Sequence, residues 1–503
     1  MENNRRTEQY FKLHKDGFYI DDITANDINF DAVFDKTNNT VSSLGEELLY
    51  FVLRKPKLSL KQIGEFEKNV EYFGNDADNA AKVRKQLSSL SKLNKISVFE
   101  YLEYLDRIEK KSIPQLFLPI IGFLLVISVF NFNATAAILL LVALFCVNTI
   151  AYFKLLKIIK PYIVCFAYII KAIKTAEKID EIDSKEYALF SGIKRFSFIF
   201  GNMTGATAHG GAGSPLDMIL DLLKMTFHFD IIRFYFMVDK VKANKTQIIS
   251  LLEHIGMLDV YLSVLEYRKS LSYYCIPEFV LDLHYDCTDA YHPLIDNPVP
   301  NSIYTSRSIL LTGSNASGKS TFLRTVLINS MLAQGINTCL CKKYEAPFFL
   351  ICSSMSVSDN VMSGDSFYMA EIKSVKRIFD LLETYNDEYV LCVVDELLKG
   401  TNTIERIASS STVLEKLDSA HCLTFAATHD IELTNILEKQ YFNYHFSEDV
   451  DLNDISFSYK LKEGPSKTTN AIKLLTYLDF PSEIVDESTS KVMSFQHNGK
   501  WCN

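Results

Sequence analysis

The sequence has no surplus of positive charge: 52 Lys and Arg against 61 Asp and Glu leave 503 residues at a formal net charge of −9. That excludes a generally basic protein that coats nucleic acid, although a local basic groove is compatible with an acidic total. The chain also lacks paired CxxC motifs and any His/Cys cluster with metal-ligand spacing. Its ten cysteines are scattered, and only Cys339 and Cys341 stand close together. They read as reduced thiols of a cytosolic compartment, not as a zinc site or a disulfide framework. The N-terminal stretch MENNRRTEQYFKLHKDG has no apolar h-region, so no cleaved secretory signal is expected. No internal repeat is visible. With 48% apolar and 22% charged residues the chain is neither disordered nor fibrous, and its length allows about two to four domains with cores of their own.

Long apolar runs are present in one place. IPQLFLPIIGFLLVISVF, from residue 113, runs 18 residues without a charge, and after Asn131-Phe132-Asn133 the stretch ATAAILLLVALFCVNTIAYF adds 20 more. As helices these would be about 27 and 30 Å long, close to the thickness of a bilayer's hydrocarbon. The connector is too short for a soluble domain, so a hairpin that enters and leaves on one side is expected over 113–153. Lys110 and Lys111 precede the first run, and Lys154, Lys157 and Lys160 follow the second. Positive charge on both flanks places both ends, and the chain's termini, in the cytoplasm. The alternative is a buried helical hairpin in a large soluble protein, made admissible by Pro114, Pro119 and Asn148. Elsewhere, residues up to 277 read as mostly helical from apolar spacing. The run 201–215, GNMTGATAHGGAGSP, reads as a loop, and KAIKTAEKIDEIDSKE as a solvated helix face.

From about residue 278 the pattern turns α/β. Ser308–Thr312, Tyr389–Val394 and Leu423–Thr428 are apolar runs suited to buried parallel strands. The loop Gly313-Ser314-Asn315-Ala316-Ser317-Gly318-Lys319-Ser320 fits GxxxxGK[ST] without a mismatch, and Thr321 follows it into a predicted helix. The glycines let the backbone N–H groups face phosphate, Lys319 reaches the β- and γ-phosphates, and the Ser320 hydroxyl can ligate Mg²⁺. YVLCVVDE sets Asp395 and Glu396 at a strand end. Asp395 is suited to hold Mg²⁺ through its water shell, and Glu396 to polarise or deprotonate a water in line with the γ-phosphate. A third strand ends in AATHD, placing His429 where it could sense that phosphate. ATP hydrolysis is the chemistry this set predicts.

TGSNASGKST, DNVMSGDSFYMAEI, DELLKGTNT and ATHDIELT occur in the order and spacing of the ATPase domain of the MutS proteins, which the C-terminal part of the chain resembles over about 220 residues. DAYHPL at 289–294 resembles the family's His-Pro motif, Asn297-Pro298 the element before the loop strand, and KLKEGPSKTTNAIKLLTYLDFPSEIVDES its closing segment. MLDVYLSVLEY and TVSSLGEELLYFVLRKPKLSLKQI resemble the helical core. The resemblance implies an α/β ABC-class P-loop ATPase domain joined to a mainly α-helical MutS-type core and lever region, here with the two-helix transmembrane hairpin. It implies a homodimer in which ATP and Mg²⁺ lie between the loop of one subunit and Ser363-Gly364-Asp365-Ser366 of the other, that segment from Ser363 on facing the γ-phosphate with Ser366 the preferred contact, and levers that grip DNA. The expected layout is an N-terminal segment and start of the core at 1–112, the hairpin at 113–153 in contact with membrane lipid, a helical lever at 154–277 and the ATPase domain with dimerisation helices at 278–503.

The chain departs from that pattern at several points. No mismatch-reading domain and no Phe-x-Glu wedge is recognisable; Asp365 stands where the family has a basic residue, Leu398 and Lys399 replace a Gly-Arg pair, and Leu294 stands where an aromatic meets the adenine. The hairpin interrupts the lever region. A second reading therefore stays open, a membrane-bound ATP-driven switch that moves a protein partner without DNA. An ABC-type transporter is disfavoured by the two short spans and by the lack of an LSGGQ-like signature.

Overall fold

The structure, a computed structural model, describes residues 6–108, 113–182, 222–223, 225–314, 317–355, 367–419, 421–451, 454–466, 472, 475–476 and 480–498. The chain forms two compact units and passes between them more than once. One unit comprises Met1–Lys15, Asn38–Phe51 and Asn69–Glu266; the other comprises Asp16–Thr37, Val52–Lys68 and Tyr267–Asn503. Two short stretches near the N-terminus thus belong with the C-terminal unit.

The described residues of the first unit are helical, as the apolar spacing predicts. Gln9–Leu13, Ala77–Ser88, Val98–Glu103 and Phe229–Ala243 lie wholly within it, and Lys245–Ser270 belongs to it as far as Glu266. The hairpin forms from Ile113–Phe130 and Ala134–Ile182. Asn133 caps the second helix by accepting the Ala136 N–H at 3.0 Å, and Gly122 lets the two helices approach, since a Cβ there would meet Leu144 at 3.2 Å. Phe132 at the turn is 90% exposed. Two described helices are long and apolar enough to cross a membrane by length and composition. The apolar stretch of Lys245–Ser270 is 61% buried, as in a core helix, whereas that of Ala134–Ile182 is only 17% buried. The second hairpin helix does not stop near residue 153 but continues through Pro161 for 49 residues in all. The proline removes one donor; Cys165, Phe166, Ile169, Ile173 and Ala176 beyond it are buried, so packing carries the helix past it.

A buried acid in this unit makes its stability sensitive to pH. Glu47 accepts a 2.6 Å hydrogen bond from Ser97, while Arg6, 3.4 Å away, is shared with Glu46 and the Ser43 carbonyl. Burial outweighs both partners and lifts the carboxyl from 4.5 to about 8. The folded state then keeps a proton that the unfolded chain loses, so the stabilisation is fully present below pH 4.5 and is lost as pH rises through about 8. Glu47→Gln is expected to flatten the fall in denaturant midpoint between pH 4.5 and 8; a slope as steep as that of the unsubstituted protein would assign it to another group.

In the second unit the alternation of apolar runs with helices builds a six-stranded sheet. Its order is Lys462–Glu463, Phe442–His445, Ile309–Thr312, Cys422–Ala427, Tyr389–Asp395, Phe349–Ser354. All neighbours pair in parallel except the edge pair Lys462–Glu463 with Phe442–His445. The three strands expected from sequence lie side by side at its centre. Register places Leu311 opposite Ala427 and Asp395 opposite Ala427, so the ends of these strands, where the chemistry was expected, fall on one edge, the usual position of a ligand crevice. A four-stranded sheet, Glu278–Phe279, Lys343–Ala346, Tyr285–Ala290, Asn301–Thr305, completes the unit. The N-terminal helix Asp22–Asp27 is built into this unit: Asp27 accepts from Ser353 Oγ at 2.7 Å and from the Met355 N–H at 3.0 Å.

Candidate functional site

The strand Ile309–Thr312 ends in Gly313, and the helix Lys319–Ile336 starts one residue after Gly318. Both glycines sit at positive φ, +141° and +111°, a region that only glycine enters freely. A Cβ on Gly313 would also stand 2.5 Å from the Phe446 carbonyl oxygen. Within the loop, Ser317 donates its hydroxyl to the Ser314 carbonyl at 2.8 Å. Buried Lys319 donates to the carbonyls of Gly313 at 2.7 Å and Ser314 at 2.9 Å. Asn315 and Ala316 lie outside the described residues, as do Ser363 and Ser366.

At the second residue of the same helix, Ser320 donates to Asp395 Oδ2 at 2.5 Å. The other oxygen, Oδ1, is buried without a hydrogen-bond partner. Burial pushes the Asp395 carboxyl above its ordinary value, and the Ser320 hydrogen bond works against it. A hydroxyl paired with a carboxylate that keeps one buried lone-pair site is a hard-oxygen donor set, the kind that suits Mg²⁺.

Glu396 has a different environment. Its Oε1 lies 2.7 Å from His429 Nε2 and its Oε2 2.8 Å from Lys399 Nζ. The hydrogen bond from His429 is the largest cause of a pKa held down to about 2, with burial opposing it and Lys399 assisting. The residue occupies the left-handed region at φ +56°, and its N–H donates to the Ala427 carbonyl at 2.9 Å. Leu398 is left-handed too, at φ +57°, yet buried. Two such non-glycine residues within three positions mark a backbone held by its surroundings. Glu371 contributes by accepting from the Lys399 and Gly400 N–H groups, both at 3.3 Å.

Sequence inspection missed several neighbours. Arg406 holds Asp430, next to His429, through a bidentate pair at 2.8 and 2.7 Å. No motif in the sequence marks it. Beside the loop opens a cleft of about 550 Å³ whose lining includes His292, Asn297, Lys319, Ser320, Glu396 and Tyr459. Thr321 and Ile295 line it as well, whereas Leu294, expected near a base, does not. Tyr459 is the exposed aromatic at this cleft, and Asn301 fixes its turn by donating to the Tyr459 carbonyl at 2.9 Å and accepting the Leu461 N–H at 2.8 Å. His292, from the DAYHPL run, is kept neutral: burial, helped by the charge of Arg324, lowers its pKa to about 4.

The C-terminal part of the chain is similar to known proteins. Residues 309–496 match the family profile of MutS domain V. Over 275 residues the chain is 26% identical to the DNA mismatch repair protein MutS of Staphylococcus carnosus, which covers 52% of this chain and 31% of that protein. With the MutS of Staphylococcus epidermidis it shares 28% identity over 255 residues, 48% of this chain and 29% of the relative. With a MutS of Thermus thermophilus it shares 28% over 202 residues, 39% and 24% respectively. The chain thus spans less than a third of the length of these relatives.

Proposed function

We propose that this chain, a member of the MutS family by its domain V, is a Mg²⁺-dependent ATPase of the ABC class that works as a homodimer, is anchored to a membrane by its hairpin, and handles DNA. The observation that carries the reading is the convergence of Lys319, Ser320, Asp395, Glu396 and His429 around one strand edge beside an open cleft. In this reading residues 278–503 are the ATPase domain, 154–277 the lever, 113–153 the membrane hairpin and 1–112 the start of the core. The ATPase domain and both termini face the cytoplasm.

The glycine loop, Gly313 through Ser320, would wrap the phosphates with N–H donors, and Lys319 would exchange its loop carbonyls for phosphate oxygens. Ser320 and Asp395 would hold Mg²⁺, which neutralises phosphate charge when bound. Glu396 orients the attacking water and accepts its proton. His429, now bonded to Glu396, is placed to turn toward the γ-phosphate. Ser363 and Ser366 of a second copy would close the site. The relatives are named as DNA mismatch repair proteins, and DNA enters this reading from that family resemblance.

Lys319→Ala is expected to weaken ATP binding roughly ten- to hundredfold, the worth of one or two hydrogen bonds from a charged donor, as read by equilibrium titration of a fluorescent ATP analogue. Affinity unchanged within error would remove the loop from the nucleotide site. The reading as a whole is tested on the detergent-solubilised chain with homoduplex, mismatched and branched DNA, with and without ATP, across a salt series. ATP-sensitive binding that weakens steeply with salt supports DNA handling. No binding at low salt turns the reading to an ATP-driven switch acting on a protein partner.

A further inference from the structure

The cysteines that look scattered in the sequence are not scattered in space. Cys275, Cys339 and Cys341 bring their sulfurs together so that all three lie within 4.8 Å of one another, with Cys275 and Cys341 Sγ atoms 3.4 Å apart. No other group of three or more His, Cys, Asp or Glu side chains among the described residues is arranged to hold a metal ion. All three belong to the second unit, and all three are free thiols.

The backbone under the sulfurs is fixed from several sides. Cys275 and Cys339 face each other across an antiparallel bridge, donating their N–H groups to each other's carbonyls at 3.0 and 2.9 Å. The intervening Leu340 donates its N–H to the Asn329 side chain at 2.6 Å, and its carbonyl accepts from the Tyr291 N–H at 3.0 Å. Before it, Thr338 accepts from Arg268, which also makes a bidentate pair with Glu67 at 2.6 and 2.7 Å. Cys339 and Cys341 are buried, and Cys275 is half-buried, which leaves one side for a ligand to enter.

We infer that these three cysteines form a zinc site. Zinc–sulfur bonds of about 2.3 Å in tetrahedral array place sulfurs about 3.8 Å apart; here one pair is 3.4 Å apart and none exceeds 4.8 Å. A disulfide would need its sulfurs at about 2.05 Å. Zinc binding converts the thiols to thiolates and releases their protons to solvent. Three thiolates with Zn²⁺ leave a net charge of only −1, whereas Cu⁺ would leave −2 in a largely apolar surrounding, which costs more. Three protein ligands leave the fourth corner to a water or another outside donor. The metal would clip the chain that leaves the helix Lys245–Ser270 to the segment that follows the helix Lys319–Ile336, whose other end carries the glycine loop. The inference does not rest on the nucleotide reading.

The test uses the full chain in detergent, stripped with a chelator under reducing conditions. It is titrated with Zn²⁺ against a chromophoric competitor and with Co²⁺ as a spectroscopic stand-in. One equivalent per chain is expected, with an intense sulfur-to-cobalt absorption, a thermal midpoint that rises on loading, and loss of all three in Cys275→Ser and Cys341→Ser. Cys287→Ser, which changes a buried cysteine outside the group, is expected to keep them. The half-buried Cys275 is the position where serine is best tolerated, and the stoichiometry of the unsubstituted chain decides independently of any variant. Failure of that chain to hold zinc against the competitor would overturn the site. So would full retention by Cys275→Ser, or a Cys275–Cys341 disulfide in the freshly purified protein.

Discussion

Glu396→Gln is expected to lower ATP turnover by about 10²- to 10⁴-fold, the usual contribution of a positioned acid–base group, while ATP still binds. The amide keeps the size of the side chain and loses the charge. It can no longer accept a proton from water, and it weakens the 2.7 and 2.8 Å contacts to His429 and Lys399. Those contacts also define how the carboxylate works. With a pKa near 2 in this arrangement it is a poor proton acceptor, so in the proposed reading its first task would be to orient and polarise the water. It becomes more basic when His429 turns away toward phosphate, because the His429 hydrogen bond is the largest cause of the depression. The sign of the linkage follows. A depressed carboxyl stabilises the fold above its ordinary value of 4.5, and that contribution is lost as pH falls through about 2. While His429 and Lys399 hold it, Glu396 stays charged between about pH 5 and 7, so an acid limb of nucleotide binding in that range belongs to another group. Single-turnover hydrolysis and nucleotide affinity, measured on the same sample, separate the two effects. Turnover at the unsubstituted rate would remove Glu396 from its role, and loss of binding would make the carboxylate part of the fold.

The part of this site that is legible in the sequence is the part encoded locally. Gly313 and Gly318 are needed where φ is positive, and the apolar strands that end at Asp395 and just before His429 are short runs that a reader of residue types can mark. The order of those strands brings their ends together, so Ser320 and Asp395 meet although 75 positions separate them. The hairpin is legible for the same reason, since an uninterrupted apolar run is a local property. What stays hidden depends on distant partners. Asp27 reaches Ser353 across 326 positions, and nothing near it in sequence marks it as part of that unit. The cysteines 275, 339 and 341 look unremarkable until the bridge between Cys275 and Cys339 aligns them. Tyr459 stands at the cleft through a turn pinned by Asn301, 158 positions away. The length of the second hairpin helix was also hidden, because Pro161 and three flanking lysines suggest an end where tertiary packing sustains a helix.

Asp259 is the clearest case of a residue whose weight appears only in three dimensions, and Asp259→Ala is expected to destabilise the first unit by about 3–5 kcal/mol, the cost of leaving several buried donors without their acceptor. The residue is wholly buried in the helix Lys245–Ser270. Its Oδ2 accepts from Ser42 Oγ at 2.6 Å, from the Ser42 N–H at 2.8 Å and from the Val41 N–H at 3.1 Å. Ser42 in turn accepts the Gly45 N–H at 3.0 Å, so the carboxylate holds the residue that caps the helix Ser43–Arg54. A Cβ on Gly45 would stand 2.3 Å from Asp259 Oδ2, which is why no larger residue fits there. Alanine would leave two backbone N–H groups and one hydroxyl without their acceptor in a dry site, with a cap lost as well. Asparagine keeps the size and one acceptor oxygen, so Asp259→Asn is expected to lose less, about 1–3 kcal/mol. Denaturant unfolding followed by a probe within the first unit measures both. The ordering decides between causes: equal losses for alanine and asparagine would make charge the dominant factor, and a loss below about 1 kcal/mol for alanine would mean that water replaces the carboxylate at this helix start.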